Sequence, residues 1–154
     1  MEGGVSELVS FYAAHNQMRA EAPDLLARLY EDFIFDRQRE HAPDDVMTIE
    51  HPLFTWDGSR LLGRLSKRQV HGGYALAGKA MDEQAAAALT ALETIMTAPG
   101  MRKKFYFEPG QIQIVNNKTC GHSRTAFTDW PEPERHRNLT RLWLRHEGRV
   151  FYNG

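Results

Sequence analysis

The chain has 154 residues, 42% hydrophobic and 25% charged, with a net charge of −1. That size and balance predict one soluble globular domain at most, and no overall field that would draw it to nucleic acid or to a membrane surface. No charged-then-apolar leader follows Met1, no apolar run approaches the roughly 18 residues of a membrane span, and the lone cysteine, Cys120, excludes an internal disulfide; together these predict a cytoplasmic protein.

Gly3-Gly4 opens the chain as a flexible end, followed by a short apolar run. From Phe11 to Phe33 the pattern is helical. A weak first helix contains Tyr12, Ala13, Asn16 and Gln17. A stronger one is entered by Pro23 and Asp24, and in it Leu25, Leu26, Leu29, Tyr30 and Phe33 recur at helical steps as a core stripe. Phe35 to Glu40 reads as a charged, solvated connection and His41 to Asp45 as a loop. Thr48 to Phe54 is a strand interrupted by Pro52, and Trp56-Asp57-Gly58 is a hairpin turn ahead of Leu61 to Leu65. His51 and His71 have no partner at metal-binding spacing and read as loop or core histidines. Asp82 caps a helix from Glu83 through Met96, with Leu89, Leu92 and Met96 on one face and Pro99-Gly100 as its stop.

Phe105 to Phe107 is composed as a strand, closed by the turn Glu108-Pro109-Gly110. Gln111 to Val115 alternates, which predicts a strand with Ile112 and Ile114 on its buried face and Asn116-Asn117 at its end. A polar corner carries His122, and Cys120 beside it reads as a small packing residue. After the loop Trp130-Pro131-Glu132-Pro133, Arg137 to Leu144 is again strand-like. A two-residue period sets Arg137, Leu139, Arg141 and Trp143 on one face. Arginines among apolar side chains need an anionic partner, because an unpaired buried charge costs several kcal/mol.

The succession Asn116-Asn117, His122-Ser123-Arg124-Thr125-Ala126-Phe127, Asp129-Trp130-Pro131-Glu132-Pro133-Glu134-Arg135 and Arg137-x-x-x-Arg141-Leu142-Trp143-Leu144 resembles the C-terminal half of the taurine catabolism (TauD/TfdA-like) dioxygenases. These are iron(II)- and 2-oxoglutarate-dependent enzymes of the clavaminate synthase-like superfamily. The resemblance makes His122 the distal iron-binding histidine and Arg137 the partner of the far carboxylate of 2-oxoglutarate. It makes Arg141 a second arginine near the cosubstrate or an anionic substrate. Gly3-Gly4-Val5-Ser6 is similar to the family's Gly-Gly-x-Thr/Ser element, whose hydroxyl contacts 2-oxoglutarate; Ser6 matches it, so the resemblance runs from Gly3 to Arg145. It implies a mainly β fold with flanking helices, a double-stranded β-helix or jelly roll lacking its N-terminal strands, so that residues 1–154 form a single partial domain. The implied reaction is hydroxylation of a small organic substrate, with release of succinate and CO2.

The family draws its other two iron ligands from a His-x-Asp or His-x-Glu motif upstream of the Gly-Gly element. The residues two positions after His15, His41, His51, His71, His122, His136 and His146 are Gln17, Pro43, Leu53, Gly73, Arg124, Asn138 and Gly148, and none is acidic. The chain alone is therefore expected to bind iron(II) weakly and to lack activity. The missing strands and ligands would come from an N-terminal half, from a second copy in a homodimer or from a heteromeric partner. An alternative is a non-catalytic jelly-roll domain that acts as a binding or subunit partner. A third reading takes Arg102 to Arg149, with ten Lys or Arg against five Asp or Glu, as a nucleic-acid surface. Its charges alternate with core residues instead of clustering, so no nucleic-acid partner is expected.

Overall fold

A computed structural model describes residues 2–144; Arg145, His146 and Arg149 of the C-terminal stretch lie outside the described residues. The chain begins with β1 (Glu2–Gly3) and β2 (Ser6–Ser10). Ser10 then turns it into α1 (Phe11–Glu21), its hydroxyl accepting from the Ala13 N–H at 3.3 Å. Pro23 opens α2 (Pro23–Arg28), as its fixed φ favours.

The helix predicted to run on to Phe33 stops at Arg28, and Phe33 lies in β3 (Asp32–Asp36). Phe33, Ile34 and Phe35 are all buried, and a strand covered on both faces reads as an unbroken apolar run that continues a helical stripe just as well. The connection expected to be solvated from Phe35 is therefore core at its start, with Phe35 only 1% exposed. Arg37 is buried too, and its Nη1 donates to Asp45 Oδ2 at 2.6 Å and to the Val46 carbonyl at 2.8 Å.

β3 pairs with β4 (Thr48–Pro52), which places His51 half-buried in a strand. β5 (Phe54–Trp56) and β6 (Leu61–Gly63) form the predicted hairpin. In its turn, Asp57 accepts from the N–H groups of Ser59 and Arg60, which holds its carboxyl well below the usual range. The helix α3 (Lys67–Ala77) was hidden from sequence reading by Gly72-Gly73. Gly73 sits there because a Cβ would strike the Ile34 carbonyl of β3. His71 is thus an exposed helix residue, neither loop nor core. α4 (Glu83–Thr97) is capped as predicted, Asp82 Oδ1 accepting from the Ala85 N–H at 2.7 Å, and Leu89, Leu92 and Met96 are buried. Asp82 also holds Arg28 at 2.9 Å, tying α2 to α4.

β7 (Arg102–Phe105), β8 (Cys120–Arg124) and β9 (Phe127–Thr128) complete the strands, with a 3-10 turn at Pro133–Arg135. His122 lies in mid-strand, not at a corner. The described strands make four small antiparallel sheets: the three-stranded β7-β2-β8 and the pairs β1-β9, β3-β4 and β5-β6. Small sheets with helices are compatible with the expected class, and no sheet among the described residues exceeds three strands.

Two predicted strands do not form. Gln111 to Val115 is irregular, and its sides are reversed from expectation: Ile112 and Ile114 are 87% and 84% exposed, while Gln113 and Val115 are half-buried. Arg137 to Leu144 is likewise irregular, with Leu142, Trp143 and Leu144 exposed. Alternation makes a strand only where another strand pairs its backbone, and neither segment has such a partner among the described residues. No helix among them is long and apolar enough to cross a membrane.

Candidate active site

β2 is the middle strand, antiparallel to both neighbours, and its register sorts the side chains. Ser6 lies opposite Phe105 and Arg124, and Leu8 opposite Lys103 and His122, so these residues share one face. Glu7, Val9, Arg102, Lys104, Gly121 and Ser123 share the other. That second face meets the helices, since a Cβ at Gly121 would touch Val9, Met96 and Phe11. At its centre the buried Glu7 carboxylate accepts from Arg102 at 2.7 Å, Lys104 at 3.3 Å and Ser123 Oγ at 2.9 Å, which joins all three strands. The Ser123 hydrogen bond is the largest single cause that keeps the Glu7 carboxyl ionised below the usual range, with Lys104 and Arg102 adding to it against the opposing cost of burial. A cavity of about 270 Å³ lies here, lined by Val9, Leu89, Met96 and the Lys67–Glu93 ion pair among others.

The first face carries the predicted site. His122 sits next to Leu8, two residues before the Arg124 that faces Ser6. Loss of hydration, and then the charge of Arg141, hold its imidazole pKa below the ordinary value. A neutral ring nitrogen is the form that binds a metal. Arg141 is thus near enough for its charge to be felt at His122, and its guanidinium stacks 4.2 Å from the Trp143 ring.

Arg137 is anchored on three sides. Its backbone N–H donates to Asp129 Oδ1 at 3.2 Å, its Nη1 donates to the Gly4 carbonyl at 2.6 Å, and the Phe107 ring lies 6.0 Å away. Nη2 is buried with no hydrogen-bond partner. The Gly3–Val5 segment is fastened alongside: Gly4 N–H donates to the Ala126 carbonyl at 3.1 Å and Val5 N–H to Thr125 Oγ1 at 2.9 Å. Gly3-Gly4 is therefore no loose end. Both residues have positive φ, +74° and +72°, which suits glycine.

The structure thus gathers Ser6, His122, Arg137 and Arg141 around the start of β2. Sequence reasoning missed the Gly4 carbonyl and the Asp129 carboxylate that hold Arg137, because bonds across so long a separation leave no local pattern. Among the described residues no group of three His, Cys, Asp or Glu side chains is placed to hold a metal ion. One histidine does not make an iron site; an unpartnered guanidinium nitrogen does fit a carboxylate.

Residues 1–143, which include all four of these side chains, match the family model described as Taurine catabolism dioxygenase TauD, TfdA family. The chain belongs to that family. It is 29% identical over 153 residues to the FR-33289 synthase of Streptomyces rubellomurinus (strain ATCC 31215), an alignment covering 97% of this chain and 45% of that protein. This TauD/TfdA-family chain therefore spans less than half the length of that relative.

Proposed function

We propose that this chain contributes the 2-oxoglutarate-binding groups and one iron ligand to an Fe(II)/2-oxoglutarate-dependent hydroxylase, with the three-stranded sheet forming part of a jelly roll. The substrate is a small organic molecule bearing an anionic group, and succinate and CO2 are released with the hydroxylated product. The observation that carries this reading is Arg137 Nη2, a buried cationic donor without a partner. Leaving such a donor unsatisfied costs about 1–3 kcal/mol or more, a cost that a bound carboxylate removes. Ser6 adds a hydroxyl two residues from Gly4, and Arg141 offers a second cation beside His122 for a substrate anion.

His122 supplies a neutral nitrogen on the same face. A non-haem iron site of this class takes two histidines and one carboxylate, so its other donors would come from a further polypeptide segment, a second copy or a partner chain. The second reading is a non-catalytic jelly-roll domain acting as a binding or subunit partner.

Titration of the full chain with 2-oxoglutarate tests the first reading. Arg137→Ala is expected to weaken binding by about 2–5 kcal/mol, the usual cost of removing one side of a buried charge pair. Arg135→Ala is expected to do far less, because Arg135 is exposed, stacked 3.7 Å from the Trp130 ring, where water replaces its contacts. Equal losses in both variants would overturn the assignment. Given iron(II), oxygen and 2-oxoglutarate, the chain alone is expected to form no succinate above a protein-free control; succinate formation would mean that it carries a full ligand set.

A further inference from the structure

We propose that Gly4 is a positioning residue for Arg137. Its carbonyl holds one end of the guanidinium and its missing side chain leaves room for that end, so Nη2 is left in a fixed place as the donor without a hydrogen-bond partner, for a carboxylate to take up. The inference rests on the reading of Arg137 given above.

The sequence makes Gly3-Gly4 look like a flexible start, yet Gly4 is buried and hydrogen-bonded through both of its backbone groups. A Cβ at Gly4 would lie 2.8 Å from Arg137 Nη1, inside van der Waals contact, and 3.4 Å from Phe127 Cβ. The backbone here is pinned by the Gly4–Ala126 and Val5–Thr125 bonds, whereas the guanidinium is the far end of a long side chain. The guanidinium would therefore yield first, and the 2.6 Å bond to the Gly4 carbonyl would break.

A planar guanidinium held at Nη1 and flanked by Phe107 has little freedom left, so the direction of Nη2 is fixed before any ligand arrives. With Nη1 already engaged, the ligand carboxylate meets one end of the fork, and correct placement of that end matters more than it would for a symmetric pair. A shift of about 1 Å in such a group can cost on the order of a hundredfold in function.

The test compares binding of 2-oxoglutarate with that of 2-oxopentanoate, which carries a methyl group in place of the distal carboxylate. Gly4→Ala is expected to lower the preference for 2-oxoglutarate by about tenfold, near 1.4 kcal/mol. Gly110→Ala controls for strain, since Gly110 has a φ of +85° with open space around its Cβ position; it should leave the preference intact. In an Arg137→Ala background, Gly4→Ala should change nothing further, because a residue acting only through Arg137 is silent once Arg137 is gone. Undiminished preference in Gly4→Ala, or an equal additional loss in that background, overturns the proposal.

A second measurement needs no change at Gly4. In the isotope-labelled native chain, rotation about the Arg137 Cζ–Nη1 bond should be slow, and 2-oxoglutarate should shift the Nη2 signals and not those of Nη1. Free rotation at Nη1 overturns the positioning role whether or not Gly4→Ala folds. If Arg137→Ala itself leaves the preference unchanged, or the native chain shows none, the reading of Arg137 as the carboxylate partner fails, while the rotation measurement still judges Gly4.

Discussion

Residues 11–105 and residues 106–144 of this TauD/TfdA-family chain obey different rules. In the first region α1, α2 and α4 pack with β3 and the β5-β6 hairpin around Phe33, Phe35, Phe54 and Leu92, all essentially sealed from solvent. In the second, Tyr106, Ile112, Ile114, Leu142 and Leu144 face outward, and the ordered contacts are polar anchors: Asp129 and Gly4 on Arg137, and β8 on β2. The first region supplies rigidity. The second presents groups on a sheet whose other face meets the helices at Val9, Gly121 and Met96. A carboxylate site of the proposed kind would need cations held in place without being neutralised, and Arg137, held through Nη1 with Nη2 unbonded, is such a cation.

The largest expected effect breaks the packed region. Phe35→Ala removes a ring buried between α3 and the core, and should cost about 3–5 kcal/mol in denaturant unfolding, as large-to-small changes in sealed cores do. A loss below about 1 kcal/mol would mean that β3 is not held between two layers.

That residue also marks where the sequence was legible. Signals confined to a few neighbouring residues read correctly: Pro23 opening α2, Asp82 capping α4, Asp57-Gly58 turning the β5-β6 hairpin. β3 was misread because Phe33 continues the stripe of Leu26, Leu29 and Tyr30 at helical steps, and only the packing of α3 against it decides otherwise. α3 was passed over because Gly72-Gly73 imitates a loop when seen without β3 alongside. In the candidate site, the motif named Ser6, His122, Arg137 and Arg141, whereas the partners of Arg137 arrive from Gly4 and Asp129 through tertiary contacts alone. The alternation of Gln111 to Val115 was real as a pattern, but its apolar side finds no cover among the described residues.

A smaller effect is expected at the junction of α2 and α4. Asp82→Ala removes both the cap on Ala85 and the ion pair with Arg28, and should cost about 1–2 kcal/mol. Asp82→Asn keeps an acceptor for the cap, so it should recover most of that loss, Asp82 being more than half exposed and its ion pair correspondingly screened. Thermal melts of the two variants decide which role dominates.

Next comes a pH effect on the sheet that joins the two regions. The Glu7 carboxyl lies below its ordinary value in the folded chain, through Ser123 first and then Lys104 and Arg102. The folded state therefore holds this proton less tightly than the unfolded one. Its contribution is complete above the unfolded value of about 4.3 and is lost as pH falls through the lower folded value. Glu7→Gln should be less stable than the native chain at neutral pH, with the gap closing as pH falls below about 4.3. His122 shifts in a separate window: its lowered pKa favours the neutral ring in the folded chain, but the residue is exposed, so only a small, solvent-screened loss of stability is expected as pH drops below about 6.5. A Glu7→Gln chain that keeps the native slope at acid pH would show that other carboxylates set it.

The smallest effect belongs to the open region and sharpens the contrast most. Ile112 is 87% exposed, so Ile112→Ser removes almost no buried apolar area and should change stability by no more than about 0.5 kcal/mol. The same holds for Ile114, and the double variant should add two small numbers. Exposed apolar side chains at alternate positions are also what an unpaired strand edge would offer to another chain. If such a chain covers them in solution, the double variant should lose more than about 1 kcal/mol, and the loss should grow with protein concentration, because association couples stability to mass action. Melts of the native and Ile112→Ser/Ile114→Ser chains at two concentrations, with light scattering on both, separate the outcomes. A small, concentration-independent difference with a monomeric mass confirms that this side bears no packing load, and a large, concentration-dependent one means that the open region is open only in a single chain.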